Sequence, residues 1–164
     1  EARRLIHEAA RGSDADALRI ETRRVRERLE SEKGRGRGLT TDIKYGAGGM
    51  LDVYFATRYL QLRDNVSDED EDRSTRGVLG RLYSAGSLGE EEYEAMKEGY
   101  ARLRELDHQL RLIVGRSTRL PSPDHPALRD LARRLAYASA DDLSNALASH
   151  MRNIRAAYDR ITKG

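Results

Sequence analysis

Apolar residues recur along this chain at steps of three and four, with no convincing run of strict alternation. Tyr93, Met96, Tyr100, Leu103, Leu106, Leu110 and Ile113 form the longest series. Leu143, Leu147, Met151, Ile154, Tyr158 and Ile161 form another. At 3.6 residues per turn such spacing gathers each set onto one face of a helix, whereas a strand would need a period of two. Composition agrees: charged residues are 35% and aromatics 5%, so Arg, Glu, Leu and Ala dominate, and these favour helix. The expected fold is all-α, an up-and-down helical bundle with additional short helices. Its main members are expected near 14–33, 50–63, 88–114 and 140–162, its short ones near 72–85 and 126–136. A chain of 164 residues suits one helical domain, 1–164, better than two.

Breakers and caps set the boundaries. Gly12 interrupts the first helical pattern, and Ser13 is placed to cap a restart before Asp14 and Asp16. Leu18, Val25 and Leu29 then make one narrow apolar stripe on a very charged helix, which belongs on the outside of a bundle. Gly34, Gly36 and Gly38 end it, opening a glycine-rich loop and motif over 34–49. Leu39–Tyr45 is the one extended candidate. From Met50 to Arg63, Leu51, Phe55, Tyr59 and Leu62 make one stripe while Met50, Val53, Tyr54 and Leu60 occupy other faces. A helix apolar all round should be buried on all sides. "DNVSDEDEDRST" reads as a solvated acidic loop, and Gly86 closes the short helix after it. Ser87 with Glu90 has the spacing of a capping box, and Ser139 with Asp142 resembles another. "RLPSPDHP" holds all three prolines and must be a connection.

Several functions are disfavoured at once. The 30 basic residues nearly balance 28 acidic ones, for a net charge of +2. Nucleic-acid binding needs a larger cationic surplus, so no nucleic-acid partner is expected. No cysteine is present, which removes disulfides and thiolate metal sites. No apolar run approaches the roughly 20 residues that span a bilayer, so no membrane association is expected. The four histidines, His7, His108, His125 and His150, are dispersed, and none forms an i,i+4 metal pair. The chain starts at Glu1 inside a helical pattern, and the expectation is a fragment of a larger cytoplasmic protein.

Unusual residues converge only in "DIKYGAGGMLDVYF", Asp42 to Phe55. A phosphate loop of the Walker type ends in Gly-Lys-Ser/Thr, which Gly48-Gly49-Met50-Leu51 does not supply. A dinucleotide fingerprint would want a third glycine where Leu51 stands. There remains a glycine turn opening onto a helix, with backbone amides at a positive dipole end and Lys44 just upstream. Such a turn can serve as an anion site or merely as a hinge. Asp52, in the helix's first turn, suits either a charge–dipole contact or a carboxylate near a metal or nucleotide. No serine or threonine carries a nucleophile motif, and no catalytic residue is expected in this chain.

"DIKYGAGGMLDVYFATRYLQL" resembles the D-[IL]-K-x-G-x-G-G-[IM]-x-D-[IV]-E-F-x-x-Q-x-L-Q-L segment of bacterial glutamine synthetase adenylyltransferases. Uridylyltransferases of the nitrogen-regulatory PII protein share its Lys-glycine-Asp part. "VLGRLYSAGSLGEEEYEAMKEGYARLRELDHQLRL" and "RLPSPDHPALRDLARRLAY" are similar to later blocks of the same family, so the resemblance runs from about Leu18 to Tyr137. It implies the helical domain that follows a nucleotidyltransferase domain, whose Gly-Ser and Asp-x-Asp signature is not found here. By that resemblance Lys44, Gly46, Gly48, Gly49 and Asp52 form the edge of an active site completed by the upstream domain, Asp52 orienting the loop or contacting a metal. ATP and Mg²⁺ are implied for the full-length protein, with no tight binding to this fragment alone. Glutamine synthetase is implied as protein substrate and a PII-type protein as regulator. Two positions depart from the pattern: Tyr54 stands where Glu is usual, and Arg58 where Gln is usual. The alternative is a non-catalytic helical protein-interaction module.

Overall fold

The computed structural model describes residues 15–34, 41–66 and 72–163. Six α-helices account for most of them: α1 (Ala15–Leu29), α2 (Met50–Arg63), α3 (Thr75–Ser84), α4 (Glu90–Ile113), α5 (Pro126–Arg134) and α6 (Ala140–Lys163). A π-helical turn, Glu30–Gly34, extends α1. The expected Leu39–Tyr45 strand does not form among the described residues. In its place a single antiparallel bridge joins Asp42 to Arg119. The Ser13 cap lies outside the described residues.

Cross-helix contacts give the direction of each long helix. Glu92 of α4 meets Arg160 of α6 at 2.7 Å, and Gly99 faces Ile154 and His150, so α4 and α6 run antiparallel. Glu30, just past α1, pairs with Arg155 at 2.9 Å, while Arg23 reaches Thr162 at 3.1 Å. Hence α1 also opposes α6. Gly48 abuts Met151 and Asp52 meets Arg155, so α2 runs alongside α6 in the same sense. The four long helices therefore alternate, the up-and-down bundle the sequence implies.

The core lies where the periodic stripes meet. Met96, Leu103, Leu106 and Leu110 of α4 are buried with Leu143, Leu147, Met151, Ile154 and Tyr158 of α6, and Leu79, Leu82, Leu128 and Leu131 belong to the same cluster. At about 1.5–3 kcal/mol per buried large apolar side chain, this interface carries most of the fold's driving force. α2 packs against α1, α3, α4 and α6, as an all-round apolar helix should. Its exception is Tyr54, which remains 46% exposed.

The caps follow local chemistry. Ser74 Oγ accepts the Gly77 N–H at 3.1 Å, and Ser139 Oγ accepts that of Asp142 at 3.0 Å. His125 caps α5 through Nδ1, accepting from Ala127 N–H at 3.1 Å, with Pro126 at the first helical position. The Ser87–Glu90 capping box is not formed. α4 starts at Glu90 with Gly89 as its cap and no side-chain bond. Ser87 is drawn back to the preceding helix, its N–H bonding Leu82 O at 2.9 Å and its side chain facing Asp64.

Candidate active-site edge

The glycine motif is built around Asp42. Its buried carboxylate accepts the backbone N–H groups of Lys44 and Tyr45 through Oδ1, at 2.9 and 2.8 Å. Thr118 Oγ1 donates to Oδ2 at 2.9 Å. Such an Asx turn fixes the chain direction where no regular ladder exists. Ile43 N–H to Thr118 O and Leu120 N–H to Thr41 O, both 2.9 Å, splice the motif to the loop after α4.

The turn that follows is closed on itself. Gly46 N–H bonds Asp42 O at 3.1 Å, Gly49 N–H bonds Gly46 O at 2.9 Å, Met50 N–H bonds Ile43 O at 3.0 Å and Leu51 N–H bonds Lys44 O at 3.2 Å. The amide end of α2, which the sequence left open as anion site or hinge, is thus engaged by the loop's own carbonyls. Orphan donors of a helix start need partners of some kind, and here the chain supplies them. Asp52 N–H is likewise held by Gly49 O at 3.0 Å.

The glycines answer to space. Gly48 has φ +73°, and a Cβ there would run into the backbone of Met151 on α6. At Gly49 a Cβ would lie 2.8–2.9 Å from the carbonyl oxygens of Lys44, Gly46 and Ile43. Only glycine lets the turn press this closely on itself and on α6.

Asp52 is fully buried and clamped. Arg26, equally buried, donates from Nε to Asp52 Oδ1 and from Nη2 to Gly46 O at 2.8 Å. Asp52 Oδ2 accepts Gly48 N–H at 2.7 Å and Arg155 Nη1 at 3.3 Å. Arg155 Nη1 also meets Glu30 at 2.9 Å, and Glu30 lies 3.4 Å from Arg26 Nη1. Burial pushes the Asp52 carboxyl up, against the downward pull of Arg26, Arg155 and the Gly48 amide. Burial pulls the Arg155 guanidinium down, but Asp52, Glu30 and Asp159 together hold it above its ordinary value. Tyr158, beside the cluster, is pushed up to about 12 by burial, with Asp52 adding to the shift.

The structure therefore brings Lys44, Gly46, Gly48, Gly49 and Asp52 into one turn, with unequal roles. Both Asp52 oxygens are taken, so a cation there would have to displace a guanidinium. Among the described residues no cluster of three or more His, Asp or Glu is arranged to hold a metal. Lys44 is the exception: half-exposed, its ammonium lies 5.2 Å from the Tyr45 ring centroid, with Lys33 on the same ring at 5.4 Å. Arg26, Glu30 and Arg155 escape a sequence reading because each is one of 30 basic or 28 acidic residues. The one available signal was Arg26 lying four residues from Glu30 on the inner side of a helix with few apolar residues.

Residues 18–162 match the family model described as GlnD PII-uridylyltransferase. Among curated proteins, the bifunctional glutamine synthetase adenylyltransferase/adenylyl-removing enzyme of Cutibacterium acnes is 31% identical over 152 residues. That alignment covers 90% of this chain and 15% of the relative. The family match reaches through α6, past the Tyr137 limit of the motif resemblance. The chain belongs to the GlnD PII-uridylyltransferase family.

Proposed function

We propose that this chain is the helical companion of a nucleotidyltransferase domain, and that Lys44 and the Gly46–Gly49 turn form the edge of a composite active site completed by that domain. The observation that carries this reading is the state of Lys44. Every other motif member is a glycine pressed against backbone or a carboxylate held by arginines. Of these motif members Lys44 alone offers a half-exposed positive charge, its ammonium over the Tyr45 ring at 5.2 Å from the centroid. A fixed cation suits the phosphates of a nucleotide, because a preorganised charge stabilises charge developing on a phosphoryl group. Asp52 then serves as a strut for the turn. ATP and Mg²⁺ belong in this reading to the companion domain, since the described residues here lack a fitting carboxylate set.

By the name of its C. acnes relative, the protein substrate is glutamine synthetase and the group handled is adenylyl. A PII-type regulator and a cytoplasmic setting accompany that reading. No helix among the described residues is long and apolar enough to cross a membrane. The test compares the parent protein with its Lys44→Ala and Lys44→Arg variants, following labelled nucleotide into glutamine synthetase. Lys44→Ala is expected to slow transfer by roughly 10²-fold without lowering the melting temperature, and Lys44→Arg to recover part of the rate. Unchanged rate and nucleotide affinity in Lys44→Ala would refute the reading.

One observation favours the interaction-module alternative. Exposed Tyr54 and neighbouring Arg58, the two departures from the family pattern, line a depression of about 270 Å³ with Thr57, Gln61, Arg73, Thr75 and Val78. If that alternative holds, Tyr54→Ala loses partner binding while Lys44→Ala changes nothing.

A further inference from the structure

α1 is fastened to the bundle by charge. Its one fully buried residue is Arg26, while Ile20 is 61% exposed and Leu18, Val25 and Leu29 are only half-covered. Apart from Leu18, which packs at the margin of the core, its ties to the rest are polar. Arg19 donates to Lys163 O. Arg23 reaches Thr162 at 3.1 Å and Asp159 at 3.7 Å. Arg26 holds Asp52 and Gly46, and Glu30 holds Arg155. α4 and α6 differ in kind, joined by the leucine-rich core described above.

We propose that α1 is a strap whose docking sets the glycine turn, so that its release frees the motif loop while the α4–α6 core stands. The coupling is atomic. One guanidinium, that of Arg26, holds the turn's carbonyl at Gly46 and the Asp52 carboxylate. The same carboxylate holds the turn's amide at Gly48. Without Arg26, Asp52 keeps only Arg155 and the Gly48 amide inside a site closed to water. An under-compensated carboxylate moves toward solvent, since burying charge is costly. The Gly48 amide and the turn lose their anchor with it. Glu30 strengthens the strap through Arg155 and through Arg26 itself, without touching the turn directly. Segments held by few apolar contacts open independently of the core, and α1 meets that description. Lys44 rides on this turn, so undocking would also disperse the motif, whatever its ligand.

Hydrogen exchange on the 164-residue chain tests the strap, comparing wild type, Arg26→Met and Glu30→Gln. In Arg26→Met the amides of α1 and of residues 46–51 are expected to exchange faster together, by about tenfold or more, while α4 and α6 remain the best-protected helices. Glu30→Gln should move both segments the same way by less, and leaves no fully buried charge unpaired because Arg26 keeps Asp52. Should Arg26→Met fail to fold, Glu30→Gln decides alone. Loop protection that persists while α1 opens would overturn the proposal. So would one common level of protection across all helices, α1 included, which would make α1 part of one cooperative core.

Discussion

At the scale of single residues, the motif's energetics rest on a charge pair that neither partner could sustain alone. Arg26 and Asp52 are both fully buried, and each needs the other because an isolated ion in a dry interior is strongly unfavourable. Arg26→Ala therefore does more than delete a contact: it strands Asp52. Breaking a buried pair from one side typically costs about 3–5 kcal/mol, and chemical denaturation of Arg26→Ala should show a loss of that order. Arg24→Ala supplies the control. Its pairing with Glu21 is at the surface, where solvent screens such a pair and its loss is expected to matter little. Equal losses in the two variants would mean that the Arg26 site is far wetter than its burial indicates. This division explains what the sequence made legible at the site. Gly48 and Asp52 stood out by spacing and resemblance, whereas Arg26 and Arg155 did not, because the partner of a buried charge is fixed only by three-dimensional packing.

At the scale of elements, two mid-helix glycines of the same type face opposite environments. Gly99 lies where α4 crosses α6, and a Cβ there would come 2.7 Å from Ile154 Cδ1. Gly80 of α3 has nothing within 4 Å of its would-be Cβ. Gly80→Ala should stabilise the chain by about 1 kcal/mol, the helix-propensity gain. Gly99→Leu should destabilise it by about 1–3 kcal/mol through overpacking. Urea titrations of both variants read the two signs directly, and a stabilising Gly99→Leu would show that α4 and α6 are not in close contact there. α4 and α6 were legible because the spacing of leucines and tyrosines states which face turns inward. α1 was only half legible. Its helix follows from propensity, but its inward face carries Arg26, and hydrophobic periodicity has no means of placing an arginine in a core. The Ser87 box failed for a related reason: its motif is local, while the competing bonds to Leu82 and Asp64 come from the end of α3 and from just beyond α2.

At the scale of the whole molecule, charge balance near +2 keeps overall electrostatic repulsion small, so pH response is set by a few displaced groups. Two of them have values raised by burial, Asp52 and Tyr158, while Asp64 is held below its ordinary value by Arg63. A group raised on folding contributes stability that is whole below its unfolded value and is lost as pH rises through its folded one. A lowered carboxylate contributes stability that is lost as pH falls through its folded value. On the acid side Asp52 thus opposes Asp64, and also Glu21 and Asp72, whose carboxyls are held low by hydrogen bonds from Arg24 and Ser74. On the alkaline side Tyr158 is the displaced group in play. Its unfolded value is about 10 and its folded value about 12, so between these limits the unfolded chain binds fewer protons than the native one. Stability must fall across that window. The Tyr158 hydroxyl is also buried without a hydrogen-bond partner among the described residues, so removing it forfeits no bond. Tyr158→Phe should therefore match or exceed the wild-type melting temperature at pH 7, by up to about 1 kcal/mol in stability. It should also show a shallower decline than wild type between pH 10 and 12. Melts recorded at half-unit steps across that range test both halves of the expectation. A parallel decline in the two proteins would mean that Tyr158 titrates alike folded and unfolded, and a marked loss at pH 7 would mean that its hydroxyl is bonded after all.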